Sequence, residues 1–308
     1  MKPTLITCYV NPDLDGYAGI VAYTELLKKT GKNVVAGIIG EPHDEVKYVL
    51  DRFNLERVEV IPDDELFDEV ILIDASEING LKGRVTPGKV VEIIDHRKIN
   101  EADKFVNAKV QIELVGAAAT LVAEKFKQNN ISISKESAIL LYSAIISNTL
   151  NFKGGVTTTR DKELFEWLRQ FIEVPDDYWK ELFTAKSDLS GDLLSSRMEG
   201  DIAGFIFNGI KISIAQLEII GSEQLVEERK EEMVDILHTI EKDLNLDLIF
   251  LNIIDLELAK NYFITDNDKT KILLKEAIGV EFGGVVAERE QLIMRKQIVP
   301  LIKKVLEK

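Results

Sequence analysis

Leu5-Ile6-Thr7-Cys8-Tyr9-Val10-Asn11-Pro12-Asp13-Leu14-Asp15-Gly16 is the stretch whose reading decides the fold. An apolar run passes directly into a tight polar turn, and a helical pattern from Tyr17 to Lys29 begins at once. That is how the first strand of a parallel α/β sheet brings polar groups to its carboxyl edge. Asn11-Pro12 marks the turn, because the residue before a proline is steered out of the helical region. Asp15, just ahead of Gly16, takes the expected N-cap position. Asp13 and Asp15 repel each other unless a cation lies between them, and a hard divalent ion with oxygen ligands answers that need. The plainer alternative is that both are only turn and cap residues.

Working outward, strand-like runs follow at Val34–Ile39, Val58–Ile61, Val70–Asp74 and Val90–Asp95, with a helix pattern over 43–53 between the first two. Val70-Ile71-Leu72-Ile73 and Val90-Val91-Glu92-Ile93-Ile94 are apolar without clean alternation, as in strands covered on both faces. Helical stretches come next at Gly116–Gln128, Ser134–Leu150, Thr159–Phe171 and Asp176–Thr184. Thr157-Thr158-Thr159 and Asp161 supply cap chemistry for the third. Ser187 to Gly191, small and polar, is the expected linker, dividing the chain into domains 1–187 and 192–308.

Beyond the linker, Ile202–Phe207, Asn208-Gly209 and Ile210–Ile220 read as a hairpin on the strongest two-residue turn signal. A long amphipathic helix over Ser222–Leu244 precedes a strand at Leu248–Ile254. Further β-like segments at Tyr262–Thr265 and Gly284–Ala287 flank another helix, and the chain closes on Gln291–Lys296 and a short helix to Leu306. This half is expected to be a smaller, mixed α/β domain.

The 308 residues allow two cores. A net charge of −15 argues against nucleic-acid binding through phosphates. Any phosphate substrate must be met by local cations and metal. One cysteine excludes a disulfide framework and makes the cytoplasm the expected compartment. No apolar run approaches the roughly 18 residues of a membrane span.

Asp74 ends the run from Val70, Asp95-His96-Arg97 ends the run from Val90, and Asn148 comes late in a helix. With Asp13 and Asp15, several acidic or imidazole groups therefore gather at the ligand-binding edge of the sheet, which favours metal binding over a set of turn residues.

Asn11-Pro12-Asp13-Leu14-Asp15, Leu72-Ile73-Asp74, Ile94-Asp95-His96 and Ile145-Ile146-Ser147-Asn148-Thr149-Leu150 resemble the motifs of the DHH phosphoesterases. Within these, the chain is similar to the manganese-dependent, family II inorganic pyrophosphatases. Gly40-Glu41-Pro42, Val115-Gly116, Phe152-Lys153, Thr157-Thr158-Thr159-Arg160-Asp161, Gln216-Leu217-Glu218 and Arg295-Lys296-Gln297-Ile298-Val299-Pro300 extend the resemblance over nearly the whole chain. It implies an N-terminal parallel-sheet DHH domain carrying metal, a smaller DHHA2-type domain, an active site in the cleft between them, and a homodimer through the edge of the N-terminal sheet.

The chain departs from the family pattern at telling places. Tyr9 stands where a ligating His is expected, Asp74-Ala75-Ser76 replaces Asp-His-Asn, Asp95-His96-Arg97 replaces Asp-His-His, and Ser147-Asn148-Thr149 replaces Ser-Asp-Thr. Ala203 stands where a lysine is expected. Asp-His-Arg also resembles the Prune branch, associated with short-chain polyphosphate hydrolysis. Carried over, one metal would have Tyr9, Asp13 and Asp74, and the other Asp15, Asp74, His96 and Asn148. The expected metal ligands are thus Asp13, Asp15, Asp74, His96 and Asn148, holding Mn²⁺ (or Mg²⁺ or Co²⁺) with fewer than two ions tight per chain. Tyrosine ligates only as phenolate, and Asn148 offers a neutral carbonyl. Asp13 and Arg97 are the expected catalytic residues, and Arg97, Lys153, Arg295 and Lys296 the expected phosphate contacts. Arg97 cannot donate a proton as a histidine would, yet it can clamp phosphate bidentately. His43 is a candidate at the edge of the site. His238, Trp167 and Trp179 read as structural. The expected function is a phosphoanhydride hydrolase of weakened activity on pyrophosphate or short polyphosphate. The alternative is a degenerate relative that binds a phosphate-containing ligand or a partner.

Overall fold

Thr4–Thr7 forms β1, and its three buried residues carry the chain straight to the polar turn before α1 (Leu14–Lys29). The computed structural model describes residues 2–187 and 189–307. Met1, Asp188 and Lys308 lie outside the described residues, and with them the outer ends of the two expected domains and one residue of the expected linker. The chain divides into two compact units: Met1–Phe152 with Val156–Leu182, and Lys153–Gly155 with Phe183–Lys308.

In the first unit, β2 (Val34–Ala36), α2 (Asp44–Phe53), β3 (Val70–Ile73), β4 (Val90–Asp95) and β5 (Lys109–Ile112) follow, then α3 (Ala118–Gln128), α4 (Lys135–Thr149) and α5 (Thr159–Arg169). The five strands form a wholly parallel sheet in the order β2-β1-β3-β4-β5. All four side chains of β3 are buried, as its unbroken apolar run requires of a central strand. Each contributes about 1.5–3 kcal/mol by leaving water. α1 lies close against this strand, since a Cβ on Gly19 would come within 2.4 Å of Ile73 Cγ2. Because β1, β3 and β4 run parallel, their carboxyl ends open on one edge, where Asp13, Asp74 and His96 follow.

The expected strand Val58–Ile61 is reduced to a single parallel bridge between Ile38 and Val60. Its neighbours Glu56, Arg57 and Glu59 are solvent-exposed and Pro62 has no N–H to donate, so a ladder cannot propagate. Conversely β5, Lys-Val-Gln-Ile, is a short and partly exposed edge strand without an apolar run to announce it. Asp13 caps α1, its Oδ1 accepting the N–H of Gly16 at 2.9 Å, so Asp15 sits inside the first turn and not at the expected cap. Asn11 adopts a φ of 60°, a conformation asparagine tolerates, while its Oδ1 accepts the N–H of Glu41.

α6 (Tyr178–Ser187) leads into the second unit, where α7 (Leu193–Gly200), unannounced in the sequence, precedes the hairpin β6 (Ile202–Phe207) and β7 (Ile210–Ile219). α8 (Ser222–Leu244), β8 (Leu248–Asp255), β9 (Lys260–Ile264) and α9 (Asp268–Ile278) come next. β10 (Phe282–Gly283) and β11 (Val286–Glu290) turn about Gly284, and α10 (Arg295–Leu306) ends the chain. The expected element at Gly284–Ala287 begins in this turn and ends in the first two residues of β11, and Gln291–Lys296 is a loop running into the start of α10. The six strands are ordered β10-β11-β9-β8-β7-β6 and are antiparallel except for β7 beside β8. All eight residues of β8 are buried: Ile249, Leu251 and Ile253 pack in the core that includes α8, Leu248 and Phe250 in the core that includes α9 and α10. No helix among the described residues is long and apolar enough to cross a membrane.

Candidate metal centre

Asp15, Asp74 and His96 converge, with one potential ligand atom from each lying within 4.8 Å of the others, all three residues buried. Each reaches the centre by a distinct local device. Asp74 leaves β3 with a φ of 54° while its N–H stays bonded to Ile94 O, so the chain bends sharply at the strand end. Asp15 projects from the first turn of α1 and meets the start of α3, whose Ala118 and Ala119 N–H groups donate to Oδ2 and Oδ1 at 2.8 and 2.7 Å. These fix the carboxylate at a helix N-terminus, where negative charge is favoured. His96 is aimed by its other nitrogen: Nδ1 lies 2.9 Å from the carbonyl of Val115. A carbonyl only accepts, so Nδ1 bears a proton and Nε2 is the nitrogen turned inward, 3.6 Å from Asp15 Oδ2 and 3.4 Å from Asp74 Oδ1.

Two carboxylate oxygens facing an imidazole nitrogen form a pocket that a dication would complete, taking the place of any proton held there. Without one the charge is costly. Burial, then the Asp74 charge, pushes the Asp15 carboxyl up to about 8, and burial raises Asp13 as well. The residues fit a borderline-hard ion such as Mn²⁺, which Asp15, Asp74 and His96 would hold.

Behind these, Asp95 positions the turn. Its Oδ1 accepts the His96 N–H at 2.6 Å and that of Arg97 at 3.3 Å, and its Oδ2 accepts the Ser76 hydroxyl. Asp161, which also closes the capping box of α5, accepts the Gly116 N–H at 2.9 Å and the Thr120 hydroxyl at 2.6 Å, which secures the start of α3. Glu45 accepts the Leu14 N–H at 3.1 Å and the Ser147 hydroxyl at 2.5 Å, joining α1 to α4 from α2. Glu45 went unsuspected in the sequence. Its signal was a carboxylate one turn ahead of Val49, on the apolar face of α2.

Two family models match the chain: the DHH family, N-terminal domain, over residues 3–145, and the DHHA2 domain over 180–305. The manganese-dependent inorganic pyrophosphatase of Methanothrix thermoacetophila is 30% identical over 307 residues, covering 97% of this chain and 96% of that one. The chain belongs to this family. A Bacillus mycoides protein named for the same activity is 29% identical over 98% of both chains. A crystal structure from Methanococcus jannaschii assigned to the family II inorganic pyrophosphatases superposes with a TM-score of 0.80 at 27% identity, over 99% of each chain.

Against the family pattern, the divergent positions have definite places. The Asn148 amide nitrogen donates to Asp15 Oδ2, so in this arrangement Asn148 buttresses a ligand. Arg97 does not extend freely as a phosphate clamp. Nη1 donates to the Asp74 carbonyl at 2.7 Å, Nη2 to Asp74 Oδ2 at 3.1 Å, and the guanidinium lies 5.2 Å from the centroid of the Tyr9 ring. With its side chain 32% exposed, the group keeps an open side. Tyr9 Oη accepts the Asp13 N–H at 3.2 Å, and burial holds the phenol well above its ordinary value. Asp13 stands outside the Asp15–Asp74–His96 cluster, as the cap of α1. His43 donates its backbone N–H to Pro12 O at 2.9 Å, which places it beside the turn.

In the second unit, Arg295 donates to the Asp201 and Ile214 carbonyls at 2.9 and 3.1 Å and pairs with Asp201 Oδ1 at 2.5 Å. The loop before it is held by a buried amide ladder in which Asn252 and Asn261 both donate to Ile293 O. The Arg295 N–H donates in turn to Gln216 Oε1. Lys153 Nζ donates to Leu256 O at 2.8 Å, and Lys296 is exposed. His238 Nε2 lies 2.8 Å from Asp266 Oδ2 at the surface.

Proposed function

We propose that the protein is a divalent-metal-dependent phosphoanhydride hydrolase acting on pyrophosphate or short polyphosphate, with Mn²⁺ as the favoured ion. The observation that carries this reading is the meeting of Asp15, Asp74 and His96 Nε2 in a chain of this family. A bound ion supplies Lewis-acid charge to the phosphoryl oxygens. Val115 keeps His96 in the ligating tautomer, the start of α3 fixes Asp15, and Arg97 turns its open side toward an incoming phosphate, adding positive charge for the transition state. Lys153, Arg295 and Lys296 are the proposed further phosphate contacts, Arg295 after release from Asp201. Arg97 cannot donate a proton to the leaving phosphate, so a weakened rate is expected, since such assistance is typically worth about 10²–10⁴-fold.

Two further features belong to this reading. The open edge strand β5, flanked by the exposed Val106 and Leu114, is the surface proposed for a homodimer. The single buried, free Cys8 accords with a cytoplasmic location. Phosphate release from pyrophosphate, tripolyphosphate and longer chains tests the function, with and without Mn²⁺. Release that requires Mn²⁺ supports it. Mn²⁺-bound protein that hydrolyses none of the panel favours the alternative, a ligand-binding relative.

A further inference from the structure

The Asp74 carboxylate faces two cation positions and fills them differently. Oδ1 points to His96 Nε2, on the metal side, while Oδ2 accepts from Arg97. The guanidinium is held on several sides: by the Asp74 carbonyl, by Asp95 Oδ2 at 3.8 Å, and by the face of the Tyr9 ring. On the Arg97 side, Tyr9 Oη accepts the Asp13 N–H, and Asp13 Oδ1 accepts the Gly16 N–H. Arg97 already sets a positive charge against Asp74 and Asp95, as an ion on that side would.

We propose that the Arg97 guanidinium is a built-in cation standing where a second metal would bind, so that the centre takes one dication, at Asp15, Asp74 and His96. This rests on reading the site as a metal-dependent hydrolase and specifies its composition. A resident guanidinium also presents N–H donors to phosphate in a fixed plane, which a spherical ion does not. The two cations flanking Asp74 thus differ in kind: one exchangeable and one covalently part of the chain.

Mn²⁺ binding to the full-length protein, without substrate, tests this by equilibrium dialysis and electron paramagnetic resonance. Wild type should hold one Mn²⁺ per chain with the six-line spectrum of an isolated ion. Arg97→Lys keeps the charge and should also hold one. Arg97→Gln and Arg97→His remove the fixed charge and should each hold two, with the spectrum broadened by coupling between neighbouring ions. Two Mn²⁺ in wild type overturn the proposal, as does one Mn²⁺ in both neutral variants. If neither neutral variant folds even in saturating Mn²⁺, a dication has failed to replace the guanidinium, and the proposal falls equally. Protein that binds one Mn²⁺ but hydrolyses no phosphoanhydride counts against the hydrolase reading and leaves this one standing.

Discussion

Raising the pH from 6 to 8 should tighten Mn²⁺ binding by about 50-fold, because the ion must displace a proton from the centre. Burial and the Asp74 charge push the Asp15 carboxyl up to about 8, so below that pH the metal-free site is mostly protonated there. One displaced proton makes the apparent affinity rise tenfold per pH unit until about pH 8 and level off above it. The same shift fixes the sign of the stability effect. The folded, metal-free protein binds this proton far more tightly than the unfolded chain, whose aspartate titrates near pH 3.9. Asp15 therefore favours the fold at low pH, and its contribution is lost between about pH 4 and 8, by up to about 1.4 kcal/mol per pH unit. Saturating Mn²⁺ should abolish the loss in the upper part of that window. Titration calorimetry in two buffers of different ionisation enthalpy gives the protons released per ion, expected to be close to one at pH 6.5. An affinity flat between pH 6 and 8, with no proton release, would refute this reasoning.

Asp161→Ala removes the acceptor for Gly116 N–H and for the α5 cap, so it should cost about 2–4 kcal/mol in urea unfolding and weaken Mn²⁺ binding by loosening the start of α3. Gly40→Ala should cost about 1–3 kcal/mol, since φ there is +80° and a Cβ would meet Asn11 Oδ1 at 2.1 Å; an unchanged midpoint would show that the Asn11 turn yields freely. Tyr9→His, Asn148→Asp and Arg97→His together should raise pyrophosphate hydrolysis well above wild type. Each alone should help less than its share, because ligands of one centre act as a unit. A restored protein that binds two metals yet hydrolyses nothing would place the defect elsewhere.

The parallel sheet and the edge that carries the site were legible because β3 and β4 are apolar runs that end directly in Asp74 and in Asp95-His96. The hairpin at Asn208-Gly209 and the long α8 were equally plain, since turn chemistry and helical periodicity are local properties. β5 was not legible: an edge strand buries too little to need an apolar sequence. Nor was the choice of Asp13 over Asp15 as the cap, because both are good capping residues and the start of α3, about a hundred residues onward, decides between them by binding Asp15. The attachment of Arg97 to Asp74 depends likewise on the sharp bend after β3, a backbone feature with no sequence signature beyond an aspartate that tolerates it. The ion pair of Arg295 with Asp201 links residues distant in sequence, which no local pattern announces.

Anomalous diffraction at the manganese edge, from crystals grown with Mn²⁺, tests the central claim most directly. The expected map has one strong peak per chain, bonded to oxygens of Asp15 and Asp74 and to His96 Nε2, with Arg97 still on the far oxygen of Asp74. A peak of comparable height between Asp13 and Asp74 with Arg97 displaced, or none at the Asp15–Asp74–His96 cluster, would contradict it.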